Sequence, residues 1–355
     1  MMVNYEIPAL DAAAMERTRA WLNGLVKPVG SLGRLEEIAI RLAGITGQVH
    51  STPGRNRVVV FAADNGVHAQ DITPVPQAVT AIQTANMTRG VCGINVLSRH
   101  AGCELVVVDV GVATDSPIPG TVDRRVRRGT ADIARGPAMT REEAMRAMET
   151  GTRMAHEAAD EGVRLLGAGE MGICNTTTSS AMLAAFTGLP VPQITGRGAG
   201  IDSEGLRRKI AVIEEALRVN RPDRSDPLDV LAKVGGLDIA AMAGLYLGAA
   251  ERRIPVVVDG FISAIAALTA VRVDERARDY LFASHSSMEP GYMPTICELQ
   301  LAPSLTLDMR LGEGTGCPLM FFIIEAAMRL CNDMATFEQG AIDNSGFVDI
   351  REDGV

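Results

Sequence analysis

Residues 163–178 read VRLLGAGEMGICNTTT: an apolar run, a glycine-rich stretch and a threonine-rich helix start in immediate succession. Short β-branched and leucine runs that stop at glycine are how strands feed helices in α/β proteins. The same layout recurs at 57–66 (RVVVFAADNG), 105–112 (LVVVDVGV) and 254–261 (IPVVVDGF). Between these runs, residues 77–98, 140–161, 176–186, 204–219 and 237–250 have helical spacing, and Thr140 with Glu143 forms a capping-box pattern. Nearly continuous apolar strands alternating with helices predict an α/β fold, a parallel sheet covered on both faces. Ligands of such sheets sit beyond the carboxyl ends of the strands. Asp64, Asp109, Glu170 and Asp259 fall there.

Outward from this middle the pattern changes. Residues 11–25 and 31–48 read as successive amphipathic helices with no strand between them, and 319–335 is helical again. These predict a small helical domain built from both chain ends, 1–55 with 318–355, beside a large α/β domain at 56–317. The stretch PDRSDP at 222–227 reads as a local turn.

The composition bounds the function classes. A chain of 355 residues, 47% hydrophobic and 22% charged, has the makeup of a globular protein and not of a disordered or disulfide-stapled one. The net charge of −9 has the wrong sign for nucleic acid or an anionic lipid surface. Six cysteines show no C-x-x-C pair, which predicts reduced thiols and a cytoplasmic protein. The N-terminus lacks a basic-then-apolar leader, and the longest apolar stretch, 254–271, is broken by Asp259, so no membrane span is expected. Five histidines lack ligand spacing and no G-x-S-x-G elbow occurs, so neither a metal site nor serine hydrolase chemistry is expected.

Four motifs remain. Gly167–Gly172 (GAGEMG) fits G-x-G-x-x-G and precedes a helix start at Asn175, Thr176 and Thr177, a layout that lets backbone and helix terminus approach a phosphate. A dinucleotide site would need an acid at the end of the next strand, and 187–196 (TGLPVPQITG) has none, so a mononucleotide is favoured. The alternative is a tight turn and no ligand. Glu170, inside the motif, suits a ribose or cationic ring better than a phosphate, unless it is simply an exposed loop residue. Gly196–Gly200 (GRGAG) is a second glycine-rich turn; Lys209, in the helix that follows, either reaches back to the phosphate or stands in solvent.

Leu311–Gly316 (LGEGTG) sets Glu313 between glycines. A carboxylate in a desolvated, glycine-walled pocket suits a general base, whereas in an open loop it would only favour the following helix N-terminus. Finally, Val75, Val79, Gln83 and Met87 recur at helical spacing, an apolar stripe with one amide. It fits a flat aromatic ligand or, equally, the core.

Read together, the motifs resemble the nicotinate-nucleotide:dimethylbenzimidazole phosphoribosyltransferase family. The resemblance is carried by KPVGSLGRLE (27–36), AADNGV (62–67), PQAVTAIQTANMTRG (76–90), VVDVGV (107–112), GEMGICNTT (169–177), DVLAKVGGLDIAAMAG (229–244), VVVDGFIS (256–263) and LDMRLGEGTG (307–316). It implies a Rossmann-like parallel sheet flanked by helices, a small helical domain from both chain ends, and a homodimer. It further implies transfer of phosphoribose from nicotinate mononucleotide to a benzimidazole-type base, with no cofactor and no metal. Purine or phenolic acceptors, or a non-catalytic nucleotide-binding subunit, are the alternatives. By the resemblance Glu313 is the general base and Glu170 lies near the ribose. Lys209, Gly172, Asn175, Thr176 and Gly198 would hold the 5′-phosphate; Gln83, Met87, Val75, Leu311 and Gly312 would frame the acceptor base. Asn65 and Val75 depart from the family pattern, where many members have His and a small hydroxyl residue; the second change makes the acceptor pocket more apolar.

Overall fold

The computed structural model describes residues 5–346. Its described strands form one six-stranded sheet, all neighbours parallel, in the order β3-β2-β1-β4-β5-β6. The strands are β1 (Arg55–Ala63), β2 (Glu104–Gly111), β3 (Val122–Asp123), β4 (Val163–Met171), β5 (Val256–Val258) and β6 (Leu281–Ala283). Helices α1 (Ala12–Asn23) and α2 (Arg34–Thr46) precede the sheet. Helices α3 (Val79–Thr88) and α4 (Gly93–Ala101) connect β1 to β2, and α5 (Arg141–Asp160) leads into β4. Five more, α6 (Asn175–Thr187), α7 (Val191–Ile194), α8 (Ser203–Asn220), α9 (Pro227–Val234) and α10 (Leu237–Glu251), fill the crossover to β5. The chain ends with α11 (Phe261–Val273), α12 (Tyr292–Leu299) and α13 (Gly316–Asp333).

The strands are buried because both sheet faces are covered. In β1 every residue after Arg55 is buried, and Val58–Ala63 have no exposed surface. Helix α10 is buried over almost its whole length, since α5 covers the side that the sheet leaves open. At that crossing two glycines meet backbone directly: a Cβ on Gly151 would overlap the Ala241 carbonyl, and one on Gly244 that of Met148. Thr140 and Glu143 form both bonds of the predicted capping box at the start of α5.

Three readings are corrected. The helix expected over 77–98 is two, because Gly90 takes φ +82° and Cys92 with Asn95 starts a new helix. The glycine-rich stretch 167–172 is no loop after a short strand: β4 runs through Met171. Gly167 and Gly169 allow another segment to lie against the strand, since a Cβ on Gly169 would stand 2.5 Å from the Glu313 carbonyl oxygen and one on Gly167 2.6 Å from Cys317 Cβ. After α6 the chain forms α7 and no strand before β5, so 187–196 is not a strand end, and the acid that follows the next strand, Asp259, comes far beyond the roughly 20-residue spacing of a dinucleotide site.

The chain ends do meet. Trp21 Nε1 donates to the Cys331 carbonyl at 2.7 Å, and Leu25 pairs with Thr336 in an antiparallel bridge. The tips of the expected helical domain, 1–4 and 347–355, lie outside the described residues. Strand order reverses between β1 and β4, which opens a crevice at their carboxyl ends. Asn65 bridges the two loops there, its Nδ2 donating to the Ile173 carbonyl at 3.3 Å.

Candidate active site

A cavity of about 380 Å³ lies beyond the carboxyl ends of β4, β5 and β6. It brings together Glu170, Glu313, Lys209, Gly172, Asn175, Thr176 and Gly198 with Gln83, Val75, Leu311 and Gly312. Met87 is the exception. One turn beyond Gln83, at the end of α3, it is buried in the core, so its share of the apolar stripe is packing and not ligand contact. Of the four strand-end acids, Asp259 and Glu170 face the cavity; Asp64 and Asp109 are absorbed by the β2 end. Asp109 accepts from Gly111 and Val112 and pairs with Arg125 at 2.7 Å, while Asp64 accepts from Ala113.

One end of the cavity is built for an anion. Lys209 is only 3% exposed. Its Nζ donates to Thr176 Oγ1 at 2.9 Å and to the Gly196 carbonyl at 3.0 Å, so it is not the solvated lysine that sequence spacing alone left open. Burial pulls the ammonium down to about 8, with the Glu289 charge opposing the fall. The 196–200 turn lies directly on it: a Cβ at Gly198, which has φ +50°, would come within 3.4 Å of Nζ. The amino end of α6 points at the same place, and its dipole favours negative charge.

The middle of the cavity is acidic. Glu170, the last residue but one of β4, is buried and not the exposed loop glutamate of the alternative reading. Asn175 Nδ2 donates to Glu170 Oε2 and, at 3.0 Å, to Asp238 Oδ2. Burial pushes Glu170 up to about 8, and the charges of Asp238 and Asp259 push the same way. Burial likewise raises Asp259 to about 7 and Asp238 to about 6. A cationic ring or developing positive charge would relieve this group of carboxyls.

At the other end stands Glu313, 5% exposed and in the left-handed region at φ +62°. Gln83 Nε2 donates to its Oε1 at 2.7 Å, and the Ile94 N–H, in the first turn of α4, to its Oε2 at 3.2 Å. Both oxygens therefore accept a hydrogen bond, one from each of two elements of the β1-to-β2 connection. The carboxylate thus sits at the N-terminus of α4 and not at that of the helix that follows it in sequence. Val75, Val79 and Leu311 supply apolar wall beside it.

Sequence reasoning missed His285, Ser287, Arg197 and Arg310, which also line the cavity. His285 and Ser287 follow β6, a three-residue strand too short to announce itself; its pairing with β5, and no pattern in neighbouring residues, brings them to the cavity. Among the described residues, no group of three His, Cys, Asp or Glu could hold a metal ion, and no helix is long and apolar enough to cross a membrane.

Comparison with known proteins agrees with this geometry. A family model described as "Phosphoribosyltransferase" matches residues 7–342. The nicotinate-nucleotide–dimethylbenzimidazole phosphoribosyltransferase of Geobacter sulfurreducens is 51% identical over 338 residues, covering 95% of this chain and 96% of the relative. That of Ruminiclostridium cellulolyticum is 48% identical over 337 residues, with the same coverage. A crystal structure of the enzyme so named from Thermus thermophilus superposes with a TM-score of 0.89 at 44% identity, covering 94% of this chain and 99% of that one. The chain therefore belongs to the nicotinate-nucleotide–dimethylbenzimidazole phosphoribosyltransferase family.

Proposed function

We propose that this enzyme transfers phosphoribose from nicotinate mononucleotide to a ring nitrogen of 5,6-dimethylbenzimidazole, giving α-ribazole 5′-phosphate and nicotinate for the nucleotide loop of cobalamin. The observation that carries this reading is one cavity with a buried ammonium at one end and an accepting carboxylate on an apolar wall at the other.

Lys209, Thr176, Gly172, Asn175 and Gly198 hold the 5′-phosphate. Gln83, Val75, Leu311 and Gly312 frame the acceptor ring. Glu313 removes the N–H proton of the benzimidazole as the other ring nitrogen attacks C1 of the ribose. The bond from C1 to the pyridinium nitrogen breaks, its electron pair neutralises the ring, and nicotinate leaves from the opposite face, so the anomeric centre inverts. Glu170 lies where positive charge builds on the ribose. The protein supplies orientation, a base and charge complementarity, and the chemistry asks for no cofactor.

The active form is a homodimer. In support, Val91 and Val96 near or on α4 and Phe322 on the adjoining α13 are exposed apolar side chains of neighbouring elements. The chain ends form a small helical domain, 1–55 with 318–355, supported by the Trp21–Cys331 and Leu25–Thr336 pairings. A cytoplasmic location is supported by free cysteines at all six positions.

A non-catalytic nucleotide binder would have no need of Glu313. Glu313→Gln should leave affinity for nicotinate mononucleotide within about threefold and lower turnover by roughly 10²–10⁴-fold. Calorimetry and a product assay read the two quantities, and undiminished turnover would remove Glu313 from the mechanism.

A further inference from the structure

We propose that Asp259 is a positioning residue for this reaction: it acts through Glu313, by gripping the backbone of the loop that presents the carboxylate. The proposal rests on the reading of Glu313 as the base.

The loop needs such a grip. Gly312, Glu313 and Gly314 have φ of +84°, +62° and +83°, three left-handed residues in succession with a glutamate in the middle. A non-glycine residue rarely adopts that conformation unless its surroundings impose it. Two strands do so here. From β4, Glu170 Oε1 accepts the Glu313 N–H at 3.4 Å, and Gly169 leaves room for the Glu313 carbonyl. From the end of β5, Asp259 takes the N–H groups on the far side of Glu313. Its Oδ2 accepts from Gly314 at 3.1 Å and its Oδ1 from Gly316 at 2.6 Å.

Asp259 is itself fixed. It is buried, and its backbone N–H donates to Ser263 Oγ at 3.1 Å, so its position follows that of α11. Ser284 Oγ donates to its carbonyl at 3.0 Å, and His285 Nδ1 stands 3.7 Å from Oδ1. With each oxygen turned to a loop N–H, the carboxylate caps the start of α13 and fixes the loop just before it, which presents Glu313. The same Asp would otherwise be read as a second acid acting on the ribose, because it borders the cavity. The two roles differ in how its loss combines with that of Glu313.

The test is a double-mutant cycle on the full chain, using turnover of nicotinate mononucleotide with dimethylbenzimidazole. Asparagine offers one acceptor and one donor where two N–H groups need acceptors. Asp259→Asn should therefore lower kcat on the order of 10²-fold by displacing the loop, with KM for nicotinate mononucleotide changed by less than about threefold. In a Glu313→Gln background the same change should cost less than about twofold, because the group it positions is already disabled. Losses that multiply in the double variant, or a change confined to KM, overturn the proposal. If Glu313→Gln alone turns over normally, the base assignment fails first, and the cycle separates that result from a failure of Asp259. Should Asp259→Asn not accumulate as folded protein, Asp259→Glu keeps two acceptor oxygens but moves them by a methylene. It enters the same cycle with the same two outcomes.

Discussion

Glu170, Asp259 and Asp238 are acids whose protons the folded chain holds more tightly than the unfolded chain does, because burial raises them to about 8, 7 and 6. Their stabilising contribution is complete below their ordinary range near pH 4 and is lost as pH rises through those values. The thermal midpoint should therefore fall between about pH 5 and 8.5, and Glu170→Gln should flatten the fall by removing one proton's slope, at most about 1.4 kcal/mol per pH unit. Calorimetric melts of both proteins across that range read the difference; parallel curves would show that Glu170 does not carry a displaced proton. The residues of the site were legible to different degrees. Glu313 stood inside a glycine-rich turn and Lys209 in the helix that follows another, a local signal. Whether Lys209 was buried was not legible, because that depends on the 196–200 turn folding over it. His285 carried no local signal, since what brings it to the cavity is a parallel pairing between β5 and β6.

Among the elements, α5 was read to within a residue at either end, because its capping box is written entirely in neighbouring residues. The glycine-rich end of β4 was misread for the opposite reason. Its glycines answer to the 313–317 segment, which is remote in sequence. Strands β3 and β6, of two and three residues, went unread because their pairing partners and not their composition define them. The α5–α10 crossing gives a prediction at this scale. Gly244→Ala places a methyl against the Met148 carbonyl, and no side chain is there to yield. Such overpacking should destabilise by roughly 1–3 kcal/mol or more, while leaving the KM of the folded fraction unchanged. Thermal melts with substrate kinetics check it; an unshifted melt would mean that the helices can separate at little expense.

At the scale of the whole molecule, the order of the strands decides where chemistry can happen. The reversal between β1 and β4 leaves a crevice, and the longest crossover, α6 to α10, delivers Lys209 to one side of it. The return of the chain through α12 and the 310–316 loop delivers Glu313 to the other. A buried ammonium, an acidic middle and a carboxylate on an apolar wall thus follow one another across the end of the sheet, and the proposed function lays anion, ribose and flat ring along them. The most direct test of that layout is a single-enzyme reaction of the purified chain with nicotinate mononucleotide and 5,6-dimethylbenzimidazole, products separated by chromatography and the ribosyl linkage assigned by NMR. The expected result is equal amounts of nicotinate and a ribazole phosphate of α configuration, with no added cofactor. Release of nicotinate without ribosylation of the base, or a β-linked product, would contradict it.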